Sequence, residues 1–317
     1  MRHVFILNPA AGKNKLSLTL KDQIQAYFAA HPHIDYEIHL TKGRGDATRL
    51  AAQACAADEP VRLYACGGDG TLQETANGIP VGSCAELAVI PCGSGNDYVR
   101  TFGDRQAFLN LVDLIEGEAF AVDAVDCDGR RSLNIASIGM DAAVCAKMLR
   151  YKHLPFVGGS LAYELAIVDV FLHPIGEEMD VEIETPTGLV RRSGKYFLAL
   201  AANGQYYGGG YHGAPQAVAD DGVLDFVLVK KISRLRILKF LSRYKAGDYA
   251  DLPYCEHIRG TGMCVHTRRP TYCNIDGECS FSDRMAFTIL PKAYRFVLPA
   301  SLAASRRENA EEFVKNL

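Results

Sequence analysis

Two short loops in this sequence pair glycine with a carboxylate. Gly67-Gly68-Asp69-Gly70-Thr71 directly follows the apolar run 61–66, and Pro91-Cys92-Gly93-Ser94-Gly95-Asn96-Asp97 follows the apolar run 87–90. Glycine lets a backbone approach a phosphate closely and allows positive φ. A helix start then offers unpaired amides to an anion. Asp69 would repel a phosphate unless a cation lay between them. That reads as Mg²⁺, which takes one or two carboxylates, keeps several waters and shares substrate phosphates. The alternative is a tight turn with a capping aspartate. A third loop, Asn8-Pro9-Ala10-Ala11-Gly12-Lys13, follows residues 3–7 and lacks the P-loop pattern. Ser94 adds a hydroxyl that can bond a phosphate. Three such loops at the carboxyl ends of strands, where open parallel sheets bind ligands, point to a nucleotide cleft. None of these three loops carries the dinucleotide pattern Gly-x-Gly-x-x-Gly, which disfavours a dehydrogenase.

Further along, Asp276-Gly277-Glu278 follows the apolar run 271–275. Phosphoryl transfer needs positioning, charge neutralisation and a group to take a hydroxyl proton. Clustered carboxylates raise each other's pKa, which suits one of them to that task. A plain Asp-Gly hairpin turn is the competing explanation. Asp220-Asp221-Gly222 divides in the same way, between a turn and a hard-cation site built from a carboxylate and nearby carbonyls.

These loops need elements to hold them. Short apolar runs at 3–7, 36–40, 61–66 and 87–90 alternate with helical stretches at 16–30, 46–57, 70–77 and 107–116. Such alternation means βαβ units and a parallel sheet. Beyond Phe120 the pattern turns strand-rich, with extended segments expected at 132–138, 180–185, 195–201, 224–229, 263–266, 271–275 and 285–289. Helices are expected there only at 161–171 and 233–244, and residues 302–317 read as a charged helix. The expected architecture is α/β plus mainly β. An α/β nucleotide-binding domain spans 1–122, with the 302–317 helix free to pack back on it. A β-rich antiparallel sandwich spans 123–300.

Composition narrows the class. The chain has 317 residues, a 48% hydrophobic fraction and a formal charge of -3. That charge gives no hint of a nucleic-acid partner. Ten cysteines lie scattered with no Cys-x-x-Cys pair, which argues for reduced thiols in a cytoplasmic protein. No apolar run approaches a membrane span, so any membrane contact would be peripheral.

Taken in order, these motifs resemble the diacylglycerol kinase catalytic-domain family, in particular its bacterial soluble lipid kinase branch. The resemblance rests on Gly67 to Thr71, Gly93 to Asp97, Asn134-Ile-Ala-Ser-Ile-Gly139-Met-Asp141-Ala142, Asn203-Gly204 with Gly208-Gly209-Gly210 and Pro215, Asp220 to Asp225, and Asp276-Gly277-Glu278. It covers nearly the whole chain. Gly-Gly-Asp-Gly-Thr alone is shared with NAD kinases and, more loosely, phosphofructokinases. The resemblance implies an N-terminal fold of that kind and an ATP- and Mg²⁺-dependent kinase. ATP phosphates would lie on Asn8 to Lys13 (Asn8, Pro9, Ala10, Ala11, Gly12, Lys13) and on Gly67, Gly68, Asp69, Gly70, Thr71, Leu72 and Gln73. The loop Gly93, Ser94, Gly95, Asn96 and Asp97 would complete the phosphate site, with Thr41 lining it. Asp69, Asp97 and Asp123 would organise Mg²⁺ and its waters. Glu278 would be the general base, with Asp276 beside it. A second, structural Mg²⁺ would take Asp221 and the carbonyls of Val218 and Val223. Ser94 stands where the family more often has Thr, and Cys92 where an apolar residue is usual; the hydroxyl survives.

The implied acceptor is a lipid alcohol at the cytoplasmic membrane surface, diacylglycerol being the family default. Residues 230–245 read as a basic amphipathic helix with Arg236, Lys239 and Arg243 on one face and Leu238, Leu241 and Tyr244 opposite. It would either lie on a membrane or be a solvated face over a core-facing stripe. Residues 154–172 would line an acyl-chain pocket or belong to the core. His153, His173 and His212 have no metal-ligand spacing. A homodimer is the default assembly. Two rival readings stay open: a soluble-metabolite kinase of NAD kinase type, and a non-catalytic nucleotide- or lipid-binding regulator.

Overall fold

A computed structural model describes residues 1–12, 15–57, 59–151, 154, 157, 159–173 and 176–315. Its elements run β1 (Arg2–Leu7), α1 (Lys15–Ala30), β2 (Tyr36–Leu40), α2 (Asp46–Cys55), β3 (Val61–Gly67), α3 (Asp69–Gly78), β4 (Glu86–Pro91), α4 (Leu111–Ile115), β5 (Glu118–Cys127), β6 (Arg130–Ser132) and β7 (Ile135–Gly139). They continue with α5 (Met140–Tyr151), α6 (Gly159–Leu172), β8 (Glu177–Thr185), β9 (Gly188–Ala202), β10 (Leu224–Lys230), α7 (Arg234–Ala246), β11 (Cys255–Gly260), β12 (Gly262–Ile275), β13 (Glu278–Leu298) and α8 (Ala300–Lys315). The chain divides into two compact units, residues 1–123 with 292–317, and residues 124–291. β5 and β13 carry the chain from one to the other.

In the first unit β1 pairs with β2 and β3, β3 with β4, and β4 with the last part of β13, all in parallel. Strands β3 and β4 are buried along their whole length. Helices covering both faces of a parallel sheet produce that burial, and with it the unbroken apolar runs in the sequence. The carboxyl ends of β1, β3 and β4 therefore line up. Register pairs Leu7 with Cys66, and Gly67 with Pro91. The single helix expected at 107–116 is two pieces, a 3₁₀ turn at Ala107–Leu109 and α4. Asn110 divides them, because its side chain accepts from the Asp113 amide and caps α4. Helix α8 is tied to this unit by Ser301, whose Oγ donates to Asp113 Oδ2 at 2.6 Å, and by an Arg307–Glu118 ion pair.

The second unit is antiparallel. β9 pairs with β8 along Gly188–Tyr196 and with β7 and β10 beyond it. β12 likewise pairs with β8 through Thr267 and with β7 from Cys273. It is one strand with a register shift between His266 and Thr271 where two were expected. Long strands shared in this way fold a sheet over itself, as in a sandwich. Alternation on β8 sends Met179, Val181 and Ile183 inward, to meet Ala199, Ala201, Phe226, Leu228 and Met263. The opposite faces of β9 and β10 are covered by α7 through Ile237, Phe240 and Tyr244.

The sequence expectations miss α5, although Met140–Tyr151 is rich in Ala, Met, Leu and Lys, which favour helix. The expected strand 132–138 is divided, with β6 ending at Ser132 and β7 starting at Ile135. The stripe assigned to α7 is also corrected. Ile237, Phe240 and Tyr244 face the core, while Leu238 is exposed. His153, like much of the stretch around it, lies outside the described residues.

One buried ion pair holds the sheet of the first unit to α4. Arg62 on β3 bonds Glu86 on β4 at 2.7 Å and donates to the carbonyls of Leu114, Ile115 and Gly117. Arg62→Ala leaves the buried Glu86 carboxylate to Arg295, at 3.3 Å, and strands these carbonyls. It should destabilise the protein by ~3–5 kcal/mol, read as a lower midpoint in urea unfolding.

Candidate active site

The carboxyl end of the parallel sheet is built by close backbone contact. Gly67 O accepts from the amides of Cys92 and Gly93 at 2.8 and 3.0 Å. A Cβ on Gly93 would lie 2.4 Å from Gly68 Cα, and one on Gly67 would lie 2.3 Å from Thr71 Oγ1. Glycine is required at both positions by space. Asp69, in the first turn of α3, then locks the two loops together. Its Oδ1 accepts from the Asp97 amide at 2.7 Å and the Tyr98 amide at 3.4 Å. Burial pushes the Asp69 carboxyl above its ordinary pKa, opposed by the amides of Asp97, Tyr98 and Asn96. Its other oxygen faces Gly95, where an added Cβ would come within 2.8 Å.

The first loop joins the same region. Asn8 Nδ2 donates to Thr71 Oγ1 at 3.0 Å, and Asn8 Oδ1 accepts from the Ala10 amide. Gly12 has φ +66. Thr41 follows β2, its amide donating to Leu7 O. Lys13 lies outside the described residues. Ser94 is exposed at the loop tip, its hydroxyl open to solvent, whereas Asn96 is buried at φ +52. Asn96 braces its own loop through Gly93, accepting from the amide and donating 2.6 Å to the carbonyl. Leu72 and Gln73 are 3% and 5% exposed, so their side chains belong to the packing of α3. Arg105 is a brace that sequence reasoning did not find. Its Nη2 donates to Pro91 O and Gly93 O, and no spacing rule marks it.

Asp69 and Asp97 come together; Asp123 joins neither in any three-residue cluster. Its buried carboxylate accepts from the Lys292 amide at 2.7 Å. Among the described residues no three or more His, Cys, Asp or Glu side chains are grouped to hold a metal. Two hard carboxylates still fit Mg²⁺, which needs no more than that beside substrate phosphates and water; Asp97 Oδ1 also lies 3.4 Å from the half-exposed Arg100 guanidinium. The Asp221 loop fits a dication less well. Oδ2 of Asp221 is paired with the Arg259 guanidinium, and Oδ1 accepts from the Val223 amide. A fixed cation already neutralises the carboxylate. Arg259 also lies 3.8 Å from buried Asp225, which His257 bonds at 2.5 Å.

In the second unit the Asp276-Gly277 pair closes the β12–β13 hairpin. Both have positive φ, +48 and +92, and Ile275 pairs with Glu278; this is the primed two-residue turn that Asp-Gly favours. The turn reading of this stretch is therefore correct as to backbone. Asp276 does not project with Glu278. Its carboxylate accepts from Ser132 Oγ at 2.7 Å, Leu133 N at 2.9 Å and Ile135 N at 3.0 Å. It anchors the turn to the start of β7, which leaves Glu278, half-buried, as the acid at the tip of the hairpin. Helix α5 packs on this turn, with the Cys145 thiol 3.5 Å from Gly277 O and the Cys279 thiol 3.8 Å from Ala142 O. Asp141 at its start is raised to about 6 by burial, opposed by the Ser137 hydroxyl and the Ala142 amide. Nearby, Tyr206 stacks on His212 at 4.2 Å, and the Gly208-Gly209-Gly210 run has positive φ throughout.

Comparison with known proteins supplies the decisive observation. Residues 2–127 match the diacylglycerol kinase catalytic domain, and residues 134–298 match the YegS C-terminal NAD kinase beta sandwich-like domain. The chain belongs to the lipid kinase family that combines these two domains. A probable lipid kinase YegS-like from Pseudomonas fluorescens is 31% identical, covering 91% of this chain and 93% of that one. A diacylglycerol kinase of Bacillus subtilis is 28% identical, covering 86% and 88%. Among solved structures, a Bacillus anthracis protein provisionally assigned as a diacylglycerol kinase superposes with a TM-score of 0.73. It is 25% identical and covers 95% of this chain and 96% of that one. Membership of a kinase family carries ATP use with it.

Two outcomes follow for the lipid kinase fold. Gly93→Ala forces backbone against backbone at Gly68 and should cost ~1–3 kcal/mol, with loss of the thermal stabilisation that ATP gives the wild type. Asp141 must ionise inside the fold as pH rises through about 6. Its raised pKa makes its contribution to stability full below the ordinary carboxylate range and lost above about 6. Asp141→Asn should therefore gain in melting temperature relative to wild type between pH 4.5 and pH 7.5, measured by calorimetry.

Proposed function

We propose that this protein is a diacylglycerol kinase, transferring the γ-phosphate of ATP to the free hydroxyl of diacylglycerol and yielding phosphatidic acid and ADP. The observation that carries the reading is the Asp69 clamp. Two glycine loops at adjacent strand ends are held in contact, with Gly70 and Ser94 exposed and two acids between the loops. The choice of diacylglycerol rests on the Bacillus subtilis relative.

In the reaction the lipid oxygen forms a bond to the γ-phosphorus, and the bond to the β,γ-bridging oxygen breaks. Charge spreads over the transferring oxygens, so positioning and electrostatic stabilisation supply most of the acceleration. Backbone amides of Gly68, Gly70, Ser94 and Gly95, with the Ser94 hydroxyl, hold the phosphates, since those of Thr71 and Gly93 are bonded within the loops. Asp69 and Asp97 would hold Mg²⁺, which when bound offsets phosphate charge. Glu278 accepts the proton of the attacking hydroxyl. Asp276 is a positioning residue, because its carboxylate is taken up by Ser132, Leu133 and Ile135.

The test is transfer of labelled γ-phosphate from ATP to a panel of lipid alcohols in mixed micelles, with NAD as the soluble control. Label is expected in the diacylglycerol fraction, and Glu278→Gln should lower the rate by ~10²–10⁴-fold with an unchanged melting curve. Label on NAD alone, or full activity of Glu278→Gln, would overturn the assignment. Asp276→Asn should slow transfer and also lower the melting temperature, which Glu278→Gln should not.

A further inference from the structure

The second unit carries an apolar surface that packing does not explain. Helix α6 has the sequence GSLAYELAIVDVFL, apolar almost all round. Helices of that kind are normally buried or in contact with lipid. One side of α6 does pack on α5, with Ala166 and Val170 against Val144. Another side is open to solvent: Leu161 is 45% exposed, Leu165 37%, Val168 56% and Leu172 70%. Their spacing of four, three and four residues places them within an arc of roughly 60°. The stripe therefore runs the length of the helix.

The stripe continues onto α7. Arg234 Nη2 donates to the carbonyl of His173, just past the end of α6, at 3.3 Å. Phe171 of α6 packs in the same cluster as Ile237 and Phe240 of α7. On the outer side of α7, Leu235 is 80% exposed and Leu238 59%. These leucines sit among cations. Residues 230–245 hold Lys230, Lys231, Arg234, Arg236, Lys239, Arg243 and Lys245, and no Asp or Glu. Helix α6 holds two acids, Glu164 and Asp169, and Asp169 is neutralised internally by Lys147 at 2.8 Å.

Arg243 is taken up by Asp248 and Asp251; exposed leucines set among the other basic side chains are the chemistry of a surface that enters the headgroup layer of an anionic bilayer. We propose that α6 and α7 together form a membrane-docking face, laying the Leu161–Leu172 stripe and Leu235 with Leu238 in the interface while the basic side chains meet lipid phosphates. No described helix is long and apolar enough to cross a membrane, so the helices lie in the plane. A face made for a second copy of this chain would place the α7 cations against their own kind, which favours the bilayer as occupant. The inference deepens the lipid kinase reading by naming where the lipid phase is met. Its test needs no catalysis, so the two can fail separately.

The experiment is co-sedimentation of the full chain with phosphatidylcholine vesicles, with and without one quarter phosphatidylglycerol, at low and high salt. Binding should require the anionic lipid and fall with salt. Leu165→Asp with Val168→Asp should weaken it by about tenfold or more. Arg236→Glu with Lys239→Glu should also weaken it by at least ~10-fold, which keeps the test open if the α6 variant fails to fold. Undiminished sedimentation of a folded variant of either kind would overturn the proposal. So would sedimentation velocity showing a dimer that Leu165→Asp with Val168→Asp dissolves while vesicle binding persists.

Discussion

The glycine loops depend on one carboxylate. Without the Asp69 contacts to the amides of Asp97 and Tyr98, the loop after β4 would be held only at its start, by the Cys92 and Gly93 amides on Gly67 O, and by side chains such as Asn96 and Arg105. With them, the starts of two consecutive segments share one charged acceptor. Charge-assisted bonds to backbone amides are roughly twice as strong as neutral ones, and here they work against burial of the carboxylate. The absence of side chains at Gly67, Gly68 and Gly93 permits the approach, and the parallel register of β3 and β4 sets its height. Sheet, glycines and carboxylate are thus one device for presenting backbone to phosphate.

A similar arrangement recurs in the second unit. Asp276 collects a hydroxyl and two amides from residues 132–135 and so fixes a hairpin tip whose next residue is Glu278. In both places an aspartate is spent inside the protein so that a neighbouring group is held at a defined position. Asp221 and Asp123 are also committed, to Arg259 and to the Lys292 amide. Family resemblance names the acids; only their hydrogen bonds separate those that face outward from those that brace.

Much of this was legible in the sequence, for physical reasons. Strands buried on both faces are mostly apolar, so β1, β3 and β4 stand out as runs despite the paired Arg62 and Glu86, and loops that need glycine for space announce themselves. What was not legible is nonlocal or a matter of competing patterns. Nothing near Arg105 or Asp276 in sequence reveals the carbonyls, amides and hydroxyl, up to 144 residues away, that they bond. Asn110 looked like one more helical residue until its side chain took the Asp113 amide. On α7 two apolar stripes compete, and periodicity cannot say that Ile237, Phe240 and Tyr244 turn inward while Leu238 stays outside. The solvent-facing stripe of α6 was hidden in the same way, since an apolar run does not disclose which side finds a partner.

The central claim is that Asp69 clamps the loop carrying Asp97. Amide hydrogen exchange compares wild type with Asp69→Ala most directly. The account predicts that the amides of Asp97 and Tyr98 lose protection in the variant while those of β3 and β4 keep theirs. Equal protection of the 97–98 amides in both proteins would contradict it, and the loop would then have to be held by Asn96, Arg105 and the backbone bonds to Gly67 O.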